Sequence, residues 1–553
     1  MGIADDMLAE VRAAALTMPE RLELELNDSD NGARLLAVYG DDLVFVDGKG
    51  WAVWDGKRFS FRSGALAAME MADKLREIVV EEAMFARRSA EFSDWEVAKF
   101  RAEEAKKRTP AFFATDEDAR DAMRAELSSR LKAHATKCGN LDKQKKALEA
   151  CEWRRRAEID DMDSDPYAFV CENGQIDLRA AARFKRTPGM SHAEVAAERA
   201  RWLRATDRSA LPSRCAGVPF DPSAKCPQWE AAIELILPVP EIRACAQRIF
   251  GACLLGENTA QICVLLRGPG GNGKSTVLNL LQHVLGNRDG YAAACKVEMF
   301  LDVGKESSGG PTAEEIHLPG ARAYIATEPA ARDVLSAKKI KGLTGGDRRM
   351  SRGLNSPFFF WTPRGIPLIS CNRTPKIKDE DEGTKRRLVF LPFDVNLRAL
   401  PIEKQRPQAE VEAALRAEGS GILNWLLDGF AAFVARGVDM PEQMKTLKAS
   451  LLESADPVGV FIAEMTTPSA KDRLNVTEFY KVYERWCDVE GRALYQPKTV
   501  GDVMVEKGFE RTKYCGRSCW RGLSWSELAR DLVREVLDYD PAPPPEEPEQ
   551  PPF

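Results

Sequence analysis

The sequence predicts an α/β fold, and three observations support that prediction. The apolar run ICVLL at 262–266 ends just before the glycine-rich segment GPGGNGKS at 268–275, and a helical pattern of apolar residues follows from Val277. Further apolar runs, within ARAYIATEP, GIPLISCNRTP and RRLVFLPF, each begin or end beside polar residues. Residues 61 to about 160 are rich in Ala, Glu, Lys and Arg, which is a helical composition. Buried strands are thus expected to alternate with helices.

The glycine-rich segment has the spacing G-x-x-x-x-G-K-S of a phosphate-binding loop. Glycines let consecutive backbone N–H groups and the N-terminus of the following helix face one anion. In such a loop Lys274 reaches the β- and γ-phosphates and Ser275 binds Mg²⁺. The residues predicted to hold a nucleoside triphosphate are Gly268, Pro269, Gly270, Gly271, Asn272, Gly273, Lys274, Ser275 and Thr276. The loop alone does not distinguish a kinase, a GTPase and a motor.

Length and composition describe the setting of this loop. A chain of 553 residues is expected to contain several domains. No apolar run approaches the roughly 20 residues of a membrane helix, and the N-terminus lacks a basic, apolar leader, so we expect a cytoplasmic protein without membrane contact. The thirteen cysteines are predicted to be reduced thiols, without a zinc site at Cys515 and Cys519. A net charge of -6 restricts any contact with nucleic acid to a local basic surface such as a channel.

The first part of the chain is predicted to contain a β-hairpin followed by helices. Two β-like runs flank the turn Asp47-Gly48. The charge-rich stretch from 91 to 107 interleaves acids and bases, which favours a solvated helix face over a basic arm. The aspartates before Pro166 do not fit a calcium loop, because the proline occupies the position of the required glycine. They indicate a turn before a strand pair closed by Asn173-Gly174.

Polar residues at the strand ends are the candidate catalytic groups. Glu328 ends the second apolar run, where an acid beside a phosphate loop can polarise water or hold Mg²⁺; it could also cap a helix near Pro329. Asn372 ends the third run and could be an ordinary turn residue. Arg386 and Arg387 begin the fourth run. Oligomeric motor ATPases use an arginine from a neighbouring subunit, although these two could equally be surface charge.

A basic cluster lies between the second and third runs. Arg348, Arg349 and Arg352 follow the turn at Gly345-Gly346 and precede an aromatic extended run. They are candidate DNA contacts, with a solvated basic turn as the alternative.

The order of motifs GPGGNGKST, IATE, IKGLTGGD, ISCNRTP and RRLVFLPF resembles the superfamily 3 helicase domain of phage and plasmid primase-helicases of the D5 and P4 type. Upstream, VWDGKRF, DSDPYAFVCENGQIDL and CPQWEAAIELI resemble the D5 N-terminal region. Downstream, TEFYKVYERWCDVEG and KTVGDVMVEKGF resemble the winged-helix tail domain, so the resemblance covers about residues 35 to 525. It implies an AAA+-type P-loop fold, a hexameric ring, and ATP-dependent 3′-to-5′ translocation on single-stranded DNA in the replication of a phage, prophage or plasmid.

The resemblance also implies roles for individual residues. Lys274 corresponds to the phosphate-binding lysine and Ser275 to a Mg²⁺ ligand, with ATP as the nucleotide. Glu328 corresponds to the Walker B acid and Asn372 to the sensor that orients water. Many superfamily 3 motors have two adjacent acids on the Walker B strand, whereas Thr327 precedes Glu328 here. Which acidic role Glu328 fills therefore stays open.

The remaining roles involve arginines. Arg387, with Arg386 beside it, corresponds to the arginine finger. The hairpin of the family often carries a lysine or histidine that grips the DNA backbone, and Arg352 is the candidate here. The predicted divisions are an N-terminal hairpin segment, a D5-like mainly helical domain, the AAA+ ATPase domain, a winged helix and a disordered Pro/Glu-rich tail, at 1–60, 61–235, 236–435, 455–540 and 541–553.

A primase domain of this family needs a D-x-D pair and a catalytic histidine. His134 is the only histidine ahead of the D5-like block that precedes the motor, and no D-x-D lies directly beside it. A separate primase, polymerase or single-strand-binding protein is therefore an expected partner, besides single-stranded and forked DNA and further copies of the chain.

Two other functions stay open from the sequence. A replication initiator would recognise an origin through the winged helix, with Arg511, Lys513, Arg517 and Arg521 on the wing. A non-helicase NTPase, such as a packaging or defence motor, would share the phosphate loop. The tail PAPPPEEPEQPPF is expected to be a disordered, solubilising terminus, or to dock Phe553 on a partner.

Overall fold

The computed structural model describes residues 16–107, 111–187, 189–287, 289–302, 315–329, 333–353, 357–378, 382–399, 407–455, 457–490 and 494–538. The predicted tail at 541–553 lies outside the described residues. The chain divides into two compact units, one formed by Met1–Arg373 with Arg386–Asp439 and the other by Thr374–Lys385 with Met440–Phe553. Among the helices described, none has the length and apolar character needed to cross a membrane.

The helices are, in chain order, α1 (Met18–Leu22), α2 (Asp28–Tyr39), α3 (Gly64–Asp73), α4 (Leu75–Ser89), α5 (Asp94–Glu104), α6 (Asp116–Cys138), α7 (Leu141–Glu152), α8 (Leu178–Arg183), α9 (His192–Ala200), α10 (Pro227–Ile236), α11 (Pro240–Ala252), α12 (Lys274–Leu285), α13 (Ala337–Thr344), α14 (Glu382–Arg387), α15 (Gln408–Ala417), α16 (Gly419–Arg436), α17 (Glu442–Ala455), α18 (Pro457–Met465), α19 (Val476–Val489), α20 (Pro497–Glu506) and α21 (Arg530–Leu537).

The strands are β1 (Leu43–Val46), β2 (Gly50–Trp54), β3 (Phe59–Ser60), β4 (Arg156–Ala157), β5 (Ala168–Cys171), β6 (Gly174–Asp177), β7 (Leu203–Arg204), β8 (Cys263–Arg267), β9 (Ala292–Ala294), β10 (Ala323–Thr327), β11 (Val334–Ser336), β12 (Arg349–Arg352), β13 (Phe358–Trp361), β14 (Ile366–Cys371), β15 (Lys376–Lys378), β16 (Leu388–Pro392), β17 (Thr466–Asn475), β18 (Arg511–Tyr514) and β19 (Arg517–Trp525).

The N-terminal hairpin and the helices after it share one hydrophobic core. Strands β1 and β2 pair antiparallel around the turn at Asp47-Gly48, which confirms the predicted hairpin. Leu43 and Trp51 from the hairpin belong to the same buried cluster as Val79 of α4 and Leu131 of α6. Strand β4, more than a hundred residues later, adds to β1 in parallel. The predicted boundary at residue 60 therefore falls inside a single core.

A buried ion pair lies within this core. Arg34 of α2 donates from Nε to Glu82 Oε2 of α4 at 2.8 Å, and both side chains are fully buried. Further guanidinium N–H groups donate to the carbonyls of Glu25 at 2.8 Å and Leu24 at 3.1 Å. Burial raises the pKa of Glu82, and the charge of Arg34 opposes that rise. The pair is thus held by several bonds in a site where an isolated charge would be costly.

Arg34→Met is expected to destabilise the protein by about 3–5 kcal/mol, because it removes the nearer of the two arginines that compensate the buried charge of Glu82. The control is Arg201→Met, which removes an exposed partner of Glu198 and should cost at most about 0.5 kcal/mol. In the variant Arg34 no longer opposes the effect of burial, and Arg21, 3.8 Å from Glu82 Oε1, is the cation that stays, so the pKa of Glu82 rises further in the folded state. The deficit should therefore shrink as pH falls toward the unfolded value of about 4.3. Urea unfolding at several pH values measures this, and equal costs for both variants would contradict it.

The central sheet of the first unit has five parallel strands in the order β16-β8-β14-β10-β9. Four of these strands coincide with the apolar runs of the sequence, and every residue of β14 and β16 is buried. Parallel strands buried on both faces read as continuous apolar runs, which explains why the sequence shows them clearly. The order places β8, β14 and β10 side by side, so their carboxyl ends share one edge of the sheet.

The region before the central sheet is attached to it through Arg322. Strands β5 and β6 form the predicted strand pair, in which Cys171 lies opposite Gly174. The guanidinium of Arg322, at the start of β10, is buried and donates to the carbonyls of Ala168 and Leu254. It also lies 4.3 Å from the ring centroid of Tyr291. The N-terminal region and the sheet are therefore joined by buried polar contacts within one unit.

The second unit contains a three-stranded antiparallel sheet in the order β17-β19-β18. Helices α18 to α21 accompany it in the chain, and α19 and α20 lie between β17 and β18 in the sequence. Its buried cluster is mainly aromatic, with Phe461, Trp486 and Trp520 among its members. The unit has its own hydrophobic core.

Candidate nucleotide site and neighbouring hairpin

The glycine-rich loop joins the end of β8 to the start of α12. Gly271 and Gly273 have φ angles of 82° and 85°, a region that glycine adopts without strain. A Cβ on Gly268 would lie 2.0 Å from the carbonyl oxygen of Phe393, so no side chain fits there. Helix α12 begins at Lys274 directly after the loop. The backbone is thus shaped as the spacing predicted, with the helix N-terminus opening onto the loop.

Lys274 is buried under the loop. Its Nζ donates to Gly268 O at 2.5 Å, to Asn272 Oδ1 at 3.0 Å and to Asn372 Oδ1 at 3.3 Å. Burial lowers the pKa of Lys274, against which the charges of Cys371 and Glu328 act. These three acceptors are neutral oxygens, which offset only part of the desolvation of an ammonium. An anion at the loop would therefore gain a strong electrostatic contact.

Glu328 and Asn372 follow adjacent parallel strands at the same edge. Thr327 of β10 lies beside Ser370 of β14, and the Glu328 N–H donates to Ser370 O at 2.8 Å. Both Glu328 and Asn372 are exposed. The structure thus brings together Lys274, Glu328 and Asn372, three of the residues selected from the sequence. The alternative cap role of Glu328 involves residues 330–332, which lie outside the described residues.

Oxygen donors suitable for Mg²⁺ are present at this edge. Ser275 is exposed in the first turn of α12, and Glu328 provides a carboxylate. Within the described ranges no group of three or more His, Cys, Asp or Glu side chains is arranged to hold a metal. Mg²⁺ is usually held by one or two protein oxygens together with water and substrate phosphates, so this small donor set fits it.

Arg386 and Arg387 lie at the opposite edge of the sheet. They end α14 just before β16, and each donates from Nη2 to Gln261 Oε1 at 3.2 Å. Leu388, the next residue, pairs with Cys263 at the start of β8, whereas the loop follows the end of β8. Five residues of strand span about 16 Å. Within one chain, the structure therefore does not bring either arginine to the phosphate loop.

The three candidate DNA-contacting arginines lie on the hairpin of β12 and β13 or just before it. Arg348 donates to Glu158 Oε2 at 2.7 Å, and Arg349 is ion-paired with Glu315 on the buried face of the hairpin. Arg352 lies on the other face, with its guanidinium 4.8 Å from the ring centroid of Phe358. The cluster is thus divided between the faces, with Arg352 on the face that carries the exposed side chains of Met350, Phe358 and Phe360.

Two features of the site escaped the sequence analysis. Asp160 accepts hydrogen bonds from Thr362 N at 2.9 Å and Thr362 Oγ1 at 3.0 Å, which fixes the base of the hairpin to the N-terminal region. Arg398 lies over the loop, since a Cβ on Gly271 would be 2.9 Å from its Nε. Asp160 belongs to a stretch that reads as a turn, and Arg398 is a single arginine after β16. Neither position carries a local signal that could have revealed it.

Comparison with known proteins gives one family match and several viral relatives. Residues 32–238 match the family described as D5 N terminal like. Three viral proteins named "Putative helicase" are similar: L207/L206 of Acanthamoeba polyphaga mimivirus, 26% identical over 46% of this chain; 022R of Frog virus 3, 28% over 27%; and 121R of Invertebrate iridescent virus 3, 26% over 29%. The alignments cover 28%, 15% and 17% of these proteins, so this chain spans less than a third of each.

Among solved structures, the apo A form of the NrS-1 C-terminal region resembles 54% of this chain and 76% of its own, with 10% identity and a TM-score of 0.34. That score is too low to assign a fold. The D5 N-terminal-like match over 32–238 and the similarity to viral proteins named as helicases fit the D5-type phage and viral primase-helicase family that the sequence resembles.

Proposed function

We propose that the protein is an ATP-dependent DNA helicase of superfamily 3, with an AAA+-type P-loop domain, that acts in the replication of a phage, virus or plasmid. One observation carries the proposal: the convergence of Lys274, Glu328 and Asn372 at the carboxyl edge of three adjacent parallel strands. In open α/β sheets, ligands bind at this edge. The similarity to viral proteins named as helicases supports the choice among phosphate-loop enzymes.

The proposed chemistry assigns each residue a step that its position allows. Lys274 exchanges its neutral acceptors for the β- and γ-phosphates of ATP. Ser275 and Glu328 would hold Mg²⁺, which would supply neutralisation of the phosphate charge. Asn372, already within reach of Lys274 at 3.3 Å, orients the attacking water. Hydrolysis by positioning and electrostatic stabilisation needs no covalent step.

The position of Arg387 supports a ring. Arg387 lies at the amino edge of the sheet, and a strand of about 16 Å separates that edge from the loop of the same chain. It can instead face the loop of a neighbouring copy. We therefore propose a homo-oligomer, in the form of a hexamer, with sites shared between subunits. Single-stranded and forked DNA are its substrates, with 3′-to-5′ translocation, and a separate primase, polymerase or single-strand-binding protein acts with it in the host cytoplasm.

The second unit supports a second candidate function, origin recognition. We propose that α19, α20 and the β17-β19-β18 sheet form a winged helix. Exposed basic residues occur on its β18–β19 hairpin: Arg511, Lys513, Arg517 and Arg521. Such a wing can contact phosphates or bases. An initiator would protect one DNA sequence in a footprint, whereas a helicase alone would bind without sequence preference.

ATPase and unwinding assays test the main proposal. The full chain should hydrolyse ATP faster with single-stranded than with duplex DNA, and should unwind a fork only when the 3′ tail is present. Stimulation by duplex alone would favour a packaging motor and contradict the helicase proposal.

Arg352→Ala is expected to weaken binding to single-stranded DNA and to reduce the slope of log affinity against log salt by about 0.7, the value for one phosphate contact. Basal ATPase should fall less than affinity does. Arg201→Ala, which removes an exposed arginine from the same unit, is the matched control and should leave the slope unchanged. Fluorescence anisotropy over a salt series measures both, and an unaltered slope for Arg352→Ala would place the contact elsewhere.

A further inference from the structure

We propose that the exposed face of the β12–β13 hairpin is a base-stacking surface for single-stranded nucleic acid. This stacking face consists of Met350, Arg352, Phe358 and Phe360. The inference rests on the proposed helicase function and adds a contact with bases to the proposed contact of Arg352 with phosphates.

The register of the hairpin creates the stacking face. Met350 pairs with Phe360, and Arg352 pairs with Phe358, so the four side chains lie on one side of the two strands. Met350, Phe358 and Phe360 are 54%, 46% and 49% exposed. The alternating residues point the other way, and Ser351, Phe359 and Trp361 there are buried.

The apolar side chains on the exposed face are not what packing alone would give. A two-stranded hairpin with a buried rear face ordinarily places polar residues on its open face, because exposed apolar strands promote aggregation. Here the open face carries two phenyl rings and a methionine. Contiguous exposed apolar groups of this kind mark a site where a ligand binds.

The charges on the hairpin identify the ligand as single-stranded nucleic acid. The guanidinium of Arg352 lies 4.8 Å from the centroid of Phe358, and that of Arg348 lies 5.3 Å from the centroid of Phe360. The guanidinium of Arg348 is ion-paired with Glu158 at 2.7 Å and with Asp160 at 3.7 Å. Arg352 beside Phe358 is therefore the cation that matches the phosphate of a stacked base. An aromatic platform in a basic groove is the usual means of binding single strands without sequence preference. Phe358 and Phe360 are two residues apart on one strand, about 6.6 Å, so successive bases of a stretched strand can each meet one ring.

The rear of the hairpin is fixed, so the rings are presented in one orientation. The Nζ of Lys49 lies 5.6 Å from the centroid of Phe359, and a Cβ on Gly48 would be 2.8 Å from Phe359 Cβ. Trp361 donates from Nε1 to Ser351 Oγ at 2.9 Å. Rigid aromatic surfaces lose little conformational entropy on binding. Duplex DNA keeps its bases stacked inside, so this face would select the unpaired strand.

The test compares a thymidine oligonucleotide with an abasic oligonucleotide of the same length and charge. The full chain should bind the thymidine strand more tightly, and Phe360→Leu should weaken that binding by roughly tenfold while leaving the abasic affinity unchanged. Phe360→Tyr keeps an aromatic ring and should retain the preference. Phe112→Leu is the matched control, because Phe112 is 92% exposed elsewhere in the chain. Melting temperatures confirm that each variant is folded.

The outcomes separate this inference from the helicase proposal. Equal affinity of the wild-type chain for both strands, with the usual salt dependence, would overturn the stacking face and leave the helicase proposal standing. Binding by Phe360→Leu as tight as wild type would also overturn it, since a merely apolar contact tolerates leucine. Binding of neither strand would refute both.

Discussion

Lys274→Ala is expected to abolish ATP hydrolysis while leaving the protein folded. The Nζ lies under the loop that is proposed to hold the phosphates, and its partners are carbonyl and amide oxygens that can hydrogen-bond to water in its place. Burial also lowers the pKa of Lys274, because it disfavours the charged ammonium. Removing it should therefore change the melting temperature little. Phosphate release measured over time, with and without single-stranded DNA, gives the result.

The matched control is Lys132→Ala, which removes an exposed lysine from α6 in the same unit. It should hydrolyse ATP at the wild-type rate. A turnover number for Lys274→Ala equal to that of the control would refute the nucleotide site. Loss of activity together with a fall in melting temperature of many degrees would instead show that Lys274 is needed for folding.

Arg387→Ala is expected to lower hydrolysis by about a thousandfold or more, the size of effect found for arginine fingers, while nucleotide binding is retained. The reason lies in the sheet: Arg387 is at the amino edge and Lys274 at the carboxyl edge, so each would complete a site with the other residue of a neighbouring chain. Mixing Arg387→Ala with Lys274→Ala should then restore part of the activity, because some interfaces combine an intact Lys274 with an intact Arg387.

Arg386→Ala is run in parallel, since Arg386 shares the Gln261 contact and is the rival finger. Recovery with only one of the two arginine variants identifies the finger. Subunit exchange is confirmed by energy transfer between labelled copies. Confirmed exchange without recovery from either mixture would contradict a shared site and favour a self-contained NTPase.

The central sheet could be predicted from the sequence because its signals are local. Strands buried on both faces read as apolar runs, and the loop spacing is fixed by the geometry of phosphate binding. The apolar runs predict β8, β10, β14 and β16. The loop and the ends of these strands indicate Lys274, Glu328 and Asn372 as candidate site residues. The hairpin at Asp47-Gly48 could be predicted equally well, because its turn residues are adjacent in the chain.

The long-range contacts of the β12–β13 hairpin could not be predicted in the same way. Arg349 meets Glu315, and Thr362 meets Asp160, which is 202 residues away in the chain. Such pairings depend on how separate elements pack, and no periodicity records them. The three arginines look alike in the sequence, although Arg349 is half-buried and ion-paired with an acid whereas Arg352 lies on the face with the exposed aromatic rings. In the sequence Arg387 precedes an apolar run and Lys274 follows another, but their location at opposite edges follows from the parallel pairing of β16 with β8.

The backbone at Glu328 bears on how this protein could evolve. Its φ of 56° lies in the left-handed region, which costs a residue other than glycine roughly 1–2 kcal/mol. Glycine or asparagine would adopt this conformation more readily. A library of variants selected only for heat resistance should therefore drift away from glutamate here, whereas selection for growth of the replicating element should keep it. The position is one where thermal robustness and catalysis make opposite demands on a single residue.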